Sequence, residues 1–549
     1  IGACRVCLVE IEGIHDLVAS CVMPVSEEMN IHTNNRRVRE ARKVVVELLL
    51  SEHDGDCQIC DRNEDCELQS IAHDLGIRQL RYEGAKAPRS YDESTAALVR
   101  DSAKCISCRR CVTVCTETQS VSALFPQRRG FKTTIGPAFG KDLDTVTCVQ
   151  CGQCSAVCPV GAISERDQTA EVWAALDDPE KTVVVQTAPA IRAALGECFG
   201  LEPGTLVTGK MTTALRRMEF DAVFDTNFSA DLTIMEEGTE LLTRLKKALV
   251  DGEQIALPMF TSCSPGWIQF VEYYYPDMLE NLSTCKSPQQ MMGAMVKTYY
   301  AQKLGKKPED MFMVSVMPCT AKKFEAARAE MNSSGVQDVD VVLTTRELGK
   351  MISEAGIDFQ SLEDSEMDAP LGLGSGAADI FANTGGVMEA ALRTAYEIIT
   401  GREIPFDNLH VTPVVGLEGI KEAEITIEGT LPEWNFLEGV TARVAVAHTL
   451  ANARALIEKI RSGEAVYHFV EVMTCQGGCI GGGGQPRITT DEIRKARIKA
   501  IYAEDEGKKL RKSHTNPQVM KAYEDFLGEP LGHRSHELLH TKYFEKERV

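Results

Sequence analysis

The stretch "EVMTCQGGCIGGGGQP", residues 471–486, decides how this chain is read. An apolar strand runs into Cys475, a second cysteine follows at Cys479, and a run of glycines comes almost at once. Two thiols this close can share one metal cluster but cannot supply all of its ligands, so other donors must arrive from distant parts of the chain. The glycines imply a backbone that approaches something closely, where a Cβ would clash.

Working outward, short β-branched runs are each followed by an amphipathic stretch: "TVVVQTAPAIRAAL" (182–195), "FDAVFDTNFSADL" (220–232), "MFMVSVMPCTAKKFEAARAE" (311–330), "DVDVVLTTRELGKMI" (338–352) and "YHFVEVMTCQGGC" (467–479). Strand, loop and helix in repetition predict an α/β domain with mostly parallel sheets. Sites in such folds gather at the carboxyl ends of strands. Three cysteine loops fall there: "TSCSPGW" (261–267), "MPCTAKK" (317–323) and the opening stretch. Cys263, Cys319, Cys475 and Cys479 are therefore expected to converge on one cluster.

At 549 residues the chain is too long for one core. A net charge of −21 argues against nucleic-acid binding. The most apolar stretch, "VTARVAVAHTLANARALI" (440–457), is interrupted by Arg443, His448 and Arg454, so no membrane span is expected. Fourteen of the 20 cysteines lie within the first 158 residues, in tight steps that suit metals rather than disulfides. "CISCRRCVTVC" (105–115) and "CVQCGQCSAVCP" (148–159) repeat an x2, x2, x3 spacing. This is the bacterial ferredoxin signature, whose fourth cysteine ligates the other cluster. By that rule Cys105, Cys108, Cys111 and Cys158 hold one 4Fe–4S cluster, and Cys148, Cys151, Cys154 and Cys115 hold a second. Zinc, the bland alternative, prefers two separated pairs without exchange. Upstream, "HDGDCQICDRNEDC" (53–66) offers His53, Cys57, Cys60 and Cys66. That donor set suits zinc or iron–sulfur alike, and its place ahead of two ferredoxin repeats favours a third 4Fe–4S cluster. Cys4, Cys7 and Cys21 supply three thiolates of a 2Fe–2S domain whose fourth cysteine would precede Ile1.

TSC-x-PGW, MPC-x-x-K and E-x-M-x-C-x-x-x-C-x-x-GGG-x-P resemble the three signatures of iron-only hydrogenases. "STCKSPQQMMGA" (283–294), "NTGGVMEAALRTA" (383–395) and the C-terminal tail are similar to that family as well. The resemblance covers essentially the whole chain and implies a multidomain α/β protein. Its expected parts are a partial plant-type 2Fe–2S domain (1–35), a one-histidine, three-cysteine 4Fe–4S module (36–82) and a two-cluster ferredoxin domain (83–168). A two-lobed H-cluster domain (169–499) and a helical, small-subunit-like tail (500–549) follow.

The resemblance implies an H-cluster: a 4Fe–4S cubane joined to a di-iron subsite carrying carbon monoxide, cyanide and azadithiolate, installed by maturation enzymes. Cys319 and Cys475 would ligate the cubane, and Cys479 would bridge to the di-iron unit. Relatives usually read TSCCPGW, with one cysteine passing protons and the next ligating iron. Here the pair is Cys263 and Ser264, so serine falls in the ligand position. Either the loop shifts and Cys263 ligates, or Ser264 ligates and Cys263 relays; thiolate softness favours the first. Lys322 would donate to a cyanide. Pro189, Ala190, Ser287, Pro288, Met317 and Met473 would line the di-iron subsite, and Cys198 and Cys285 are read as ordinary buried thiols. Glu237, Glu240 and Arg244 share one helix face, and with Ser283 they form the proton path that the resemblance implies. A solvated helix face is the plain alternative.

The activity implied is reversible interconversion of H2 with protons and electrons. Accessory clusters would relay electrons to a ferredoxin or to a flavin-bearing, NAD(P)-reactive subunit, because this chain lacks a Gly-rich nucleotide fingerprint. The implied compartment is the cytoplasm, although whatever precedes Ile1 is out of view. A non-catalytic iron–sulfur assembly protein of the narf-like branch is the competing reading; Ser264 favours it, while Lys322, Glu237 and Glu240 oppose it.

Overall fold

The computed structural model describes residues 1–84, 86 and 89–548. Parts of the 83–168 segment and the last residue of the tail therefore lie outside the described residues. The chain forms two compact units, residues 1–148 with 153–166 and residues 149–152 with 167–548.

In the first unit β1 (Leu8–Ile11) pairs antiparallel with β2 (Val18–Ala19) and β3 (Ile31–His32). A helix, Arg36–Glu52, starts where the Asn35 side chain accepts from Val38 N at 2.9 Å. β4 (Tyr91–Asp92), β5 (Leu98–Asp101), the hairpin of β6 (Phe125–Gln127) and β7 (Thr134–Gly136), and β8 (Ile163–Glu165) follow, with β5 between β4 and β8. The apolar core of this unit is threaded with cysteine side chains, among them Cys111 and Cys158. Inside the cysteine steps Ser107 (φ 52°), Arg109 (φ 64°) and Gln150 (φ 54°) adopt left-handed backbone. Each costs roughly 1–2 kcal/mol for a residue with a Cβ, and the reversal it gives fits cysteines that must face one centre.

The strands of the second unit are β9 (Thr182–Thr187), β10 (Ala222–Asp225), β11 (Met259–Phe260), β12 (Met311–Met317), β13 (Val341–Thr344), β14 (Ile420–Thr426), β15 (Thr441–His448) and β16 (Phe469–Met473). One sheet is wholly parallel in the order β10-β9-β12-β13. The other runs β11-β16-β15-β14, with only the β14 edge antiparallel. β9 is buried along its whole length, as expected of a parallel strand covered on both faces. β14 instead alternates buried and exposed, the mark of a half-solvated edge strand. The tail helix Asp491–Gly507 is tied down by Arg497 on Glu197 at 2.7 Å and by Arg393 on Asp505 at 3.0 Å. Among the described residues no helix is long and apolar enough to cross a membrane.

Candidate active site

Four strands of the second unit deliver the site. β9 ends into Pro189, β11 into Cys263, β12 into Cys319 and β16 into Cys475. Their loops surround a cavity lined by Cys263, Ser264, Cys319, Lys322, Cys475 and Cys479 and walled by Pro189, Pro288, Met317, Phe381 and Met473. The thiols of Cys319 and Cys475 are hydrogen-bonded to one another, which lowers Cys319 and pushes Cys475 well up. Burial, with Cys319 close by, pushes Cys479 up to about 12. Three thiols from two strand ends thus meet as expected. Their mutual penalty as free groups is what coordination by a cationic iron centre would relieve. Soft thiols, one ammonium and a dry apolar wall fit an H-cluster: Cys319, Cys475 and Cys479 would hold it and Lys322 would face its anionic ligands.

Lys322 Nζ donates to Cys263 O at 3.0 Å and to the Glu325 carboxylate at 2.9 Å. Glu325 also accepts from Ser287 Oγ at 2.8 Å and Gln289 Nε2 at 3.0 Å. Sequence reasoning missed Glu325, although its place three residues after Lys322 on a short helix was a usable signal. Ser287 faces Glu325 and does not line the cavity; Gln289 stands in its place. Ala190 is also absent from the lining, because the chain turns at Pro189 and buries Ala190 with Ile380 and Ile480; Ala188 lines the cavity instead. Of the two cysteines read as ordinary buried thiols, Cys285 is buried, but Cys198 is exposed near the end of a short 3-10 helix.

Ser264 stands at the N-cap position of the helix Pro265–Tyr274, with its side chain turned to another partner. Its Oγ lies 2.7 Å from Thr474 Oγ1 and accepts from Thr474 N at 3.2 Å, one residue before Cys475. Cys263 has different neighbours: burial first, then the charges of Glu237 and Cys479 against the opposing Lys322, leave its thiol well above its usual range.

The helix Thr226–Lys246 carries the acidic face inward, since Glu236, Glu237 and Glu240 are all buried. Burial, reinforced by Glu240, pushes Glu237 up to about 8 against hydrogen bonds from Ser283 and from the Ser262 backbone. Ser283 Oγ donates to Glu240 Oε2 at 2.9 Å, and Arg244 Nη2 donates to Glu240 Oε1 at 2.7 Å. Arg244 also reaches the carbonyls of Glu280 and Leu282 at 3.0 and 2.8 Å. A face that alone would read as solvated is therefore a buried, connected row leading away from Cys263.

The glycines have another partner than expected. A Cβ on Gly482 would sit 2.2 Å from Pro318 O, and one on Gly483 would sit 2.5 Å from Cys151 O. The run is packed on protein backbone, which explains the need for glycine without a cofactor at that spot.

In the first unit Cys105, Cys108, Cys111 and Cys158 line one pocket, so the exchange of the fourth cysteine is present in the fold. Cys115 does not line that pocket, and its Sγ accepts from Ala123 N at 3.3 Å. Of its expected companions Cys148 and Cys154 belong to the first unit and Cys151 to the second. Burial, then the charges of Cys66 and Cys60, raises Cys57. Buried His53 Nδ1 has no hydrogen-bond partner among the described residues, as suits a nitrogen kept for a metal. Burial pushes Cys7 up, but hydrogen bonds from Cys21 outweigh it and leave the thiol lowered; Gly2 N donates to Cys21 Sγ at 3.3 Å.

Known proteins match the chain along its whole length. "Iron only hydrogenase large subunit, C-terminal domain" matches residues 181–483, and "Iron hydrogenase small subunit" matches 491–546. A 2Fe–2S binding domain matches 1–36, the iron–sulfur binding region of NADH-ubiquinone oxidoreductase-G matches 42–81, and a 4Fe–4S dicluster domain matches 104–162. The NADP-reducing hydrogenase subunit HndD of Solidesulfovibrio fructosivorans is 50% identical over 100% of this chain and 92% of its own length. Iron hydrogenase 1 of Clostridium pasteurianum is 43% identical over 99% of the chain and 92% of its own length. The structure of a variant of apo FeFe-hydrogenase HydA1 from Chlamydomonas reinhardtii superposes with a TM-score of 0.62 at 47% identity, covering 69% of this chain and 99% of that one. Assembly proteins match more distantly, at 32% identity over 68% of the chain for a bovine cytosolic iron–sulfur assembly component. With more than half of its length matched to the large-subunit family and half of its residues shared with a hydrogenase subunit from end to end, the chain belongs to the iron-only hydrogenases.

Proposed function

We propose that this hydrogenase interconverts H2 with protons and electrons in the cavity beneath Cys319, Cys475 and Cys479, and that protons travel along Cys263, Glu237, Ser283, Glu240 and Arg244. The observation that carries the reading is the meeting, along one cavity, of three soft thiols, the Lys322 ammonium and the Cys263 thiol, which feels the charge of the buried Glu237 behind it. When bound, the H-cluster, with azadithiolate on its di-iron subsite, supplies the Lewis-acid and redox chemistry that breaks and makes the H–H bond.

The chain's own residues do the rest. Met317, Met473, Pro189 and Phe381 exclude water, which strengthens every charge interaction inside. Lys322, fixed by Glu325, presents a cationic donor to the cavity. Ser283 bridges Glu237 to Glu240, and Arg244 holds the outer carboxylate. Because Ser264 is bonded beside Cys475 while Cys263 shares its surroundings with Glu237, we assign Ser264 to the cubane side and Cys263 to the relay. This reverses the preference that donor softness alone gives.

Electrons pass through three accessory 4Fe–4S clusters, and through one 2Fe–2S cluster where a cysteine upstream of Ile1 completes it, to a ferredoxin or to a flavin-bearing, NAD(P)-reactive subunit. The name of HndD, an NADP-reducing hydrogenase subunit, supports a multi-subunit setting. Maturation enzymes would install the di-iron subsite. The test is Cys263→Ala in matured protein. Iron content and the carbon monoxide and cyanide infrared bands should persist while turnover falls; loss of cubane iron would return the ligand role to Cys263.

A further inference from the structure

The β6–β7 hairpin has two unlike ends. Its inner end covers the pocket of Cys105, Cys108, Cys111 and Cys158 with Leu124 and Ile135, which are 2% and 4% exposed. Its outer tip, "RRGFK" (128–132), is exposed throughout, with Phe131 at 68%. The loop after β7 adds Phe139 at 95% exposure and Lys141. Arg128, Arg129, Lys132 and Lys141 make no ion pair among the described residues. Arg128 and Phe139 also stand in left-handed backbone, at φ 62° and 60°. Neither gains burial in return for that strain, a pattern that points to use rather than to folding.

The hairpin tip and the loop after β7 thus bring four cations without ion pairs and two exposed phenylalanines to one short segment of a chain of net charge −21. Aromatic and arginine side chains are what interface centres are made of, and a basic tip on an acidic body selects an acidic partner and steers its approach. The tip lies on the same hairpin as the wall of a cluster pocket, and electron transfer demands that kind of proximity.

We infer that the tip of the β6–β7 hairpin, with Phe139, is the docking surface for an acidic iron–sulfur carrier protein of the ferredoxin type, which exchanges electrons with the cluster held by Cys105, Cys108, Cys111 and Cys158. The inference rests on the reading that this chain's accessory clusters serve an electron-carrier protein. Each docking event moves one electron, oxidising the carrier by one and reducing the protein by one, with no proton transferred.

The experiment compares matured wild type, the triple variant R128E/R129E/K132E and the double variant F131A/F139A. Hydrogen evolution is driven either by a reduced acidic two-cluster ferredoxin or by reduced methyl viologen. In the triple variant the KM for ferredoxin should rise about tenfold or more, and the rise of KM with salt expected of wild type should disappear. Turnover with viologen should stay within about twofold, since a small dye needs no docking surface. The double variant should raise the ferredoxin KM while keeping the salt dependence, and it carries the test should the triple variant fail to load its clusters. An unchanged ferredoxin KM in both variants, with wild type using ferredoxin well, overturns the site but not the carrier. A wild type that works with viologen and not with ferredoxin overturns the carrier reading, and this occupant with it.

Discussion

Glu240→Gln isolates proton transfer from everything else the site does. The Glu240 carboxylate accepts from Ser283 Oγ at 2.9 Å, from Thr284 N at 3.1 Å and from Arg244 at 2.7 Å. Glutamine has the same shape, but its amide takes up no proton near neutrality, and one of its two ends can only donate. Arg244 keeps two backbone carbonyls, those of Glu280 and Leu282. The structural loss is therefore about one charge-assisted hydrogen bond, roughly 1.5–3 kcal/mol, which a chain of this size survives. The kinetic loss is larger. Removing a positioned proton acceptor typically costs about 10²–10⁴ in rate, or roughly 3–5 kcal/mol of barrier at 1.36 kcal/mol per tenfold. Hydrogen evolution from reduced viologen should fall by that factor, while the infrared bands of the cofactor and the affinity for the dye stay as in wild type. Turnover within about threefold of wild type, with those bands intact, would refute the relay.

Gly483→Ala places a Cβ 2.5 Å from the Cys151 carbonyl and should lower stability by about 1–3 kcal/mol; thermal unfolding checks this, and an unchanged Tm would contradict the close approach. His410 is hydrogen-bonded to Glu389 at 3.0 Å and to Glu506 at 2.9 Å, with Arg393 opposing, and its pKa is raised above the ordinary 6.5, chiefly by Glu389. Its contribution to stability is full below pH 6.5 and is lost as pH rises through the raised value. His410→Gln should therefore flatten the decline of Tm with rising pH in that window, and a profile parallel to wild type would contradict the assignment.

What the sequence revealed and what it concealed follow from chain separation. The ladder of Cys105, Cys108, Cys111 and Cys158 was legible because x2 steps place donors on one short loop, and a ferredoxin repeat fixes which cysteine crosses over. The parallel sheets were legible because β9 and β12 are buried almost throughout and so carry apolar runs without alternation, Val183–Val185 in the one and all but Ser315 in the other. Contacts set by sheet order were not. Thr474 meets Ser264 only because β11 lies beside β16, so nothing within either segment announces that Cys263 faces Glu237 instead. The glycines were rightly read as a close approach, but the partner, the backbone at Pro318 and Cys151, comes from other loops. Ala190 was carried over by resemblance, and the turn at Pro189 takes it out of the cavity.

The account stands on Cys319, Cys475 and Cys479 gripping an organometallic centre in the cavity they line. Infrared spectroscopy of the matured chain tests this most directly. Carbon monoxide and cyanide bands that shift under H2 and are lost in Cys479→Ala are the predicted result. A matured, iron-loaded protein without such bands, or with bands indifferent to that substitution, would contradict it.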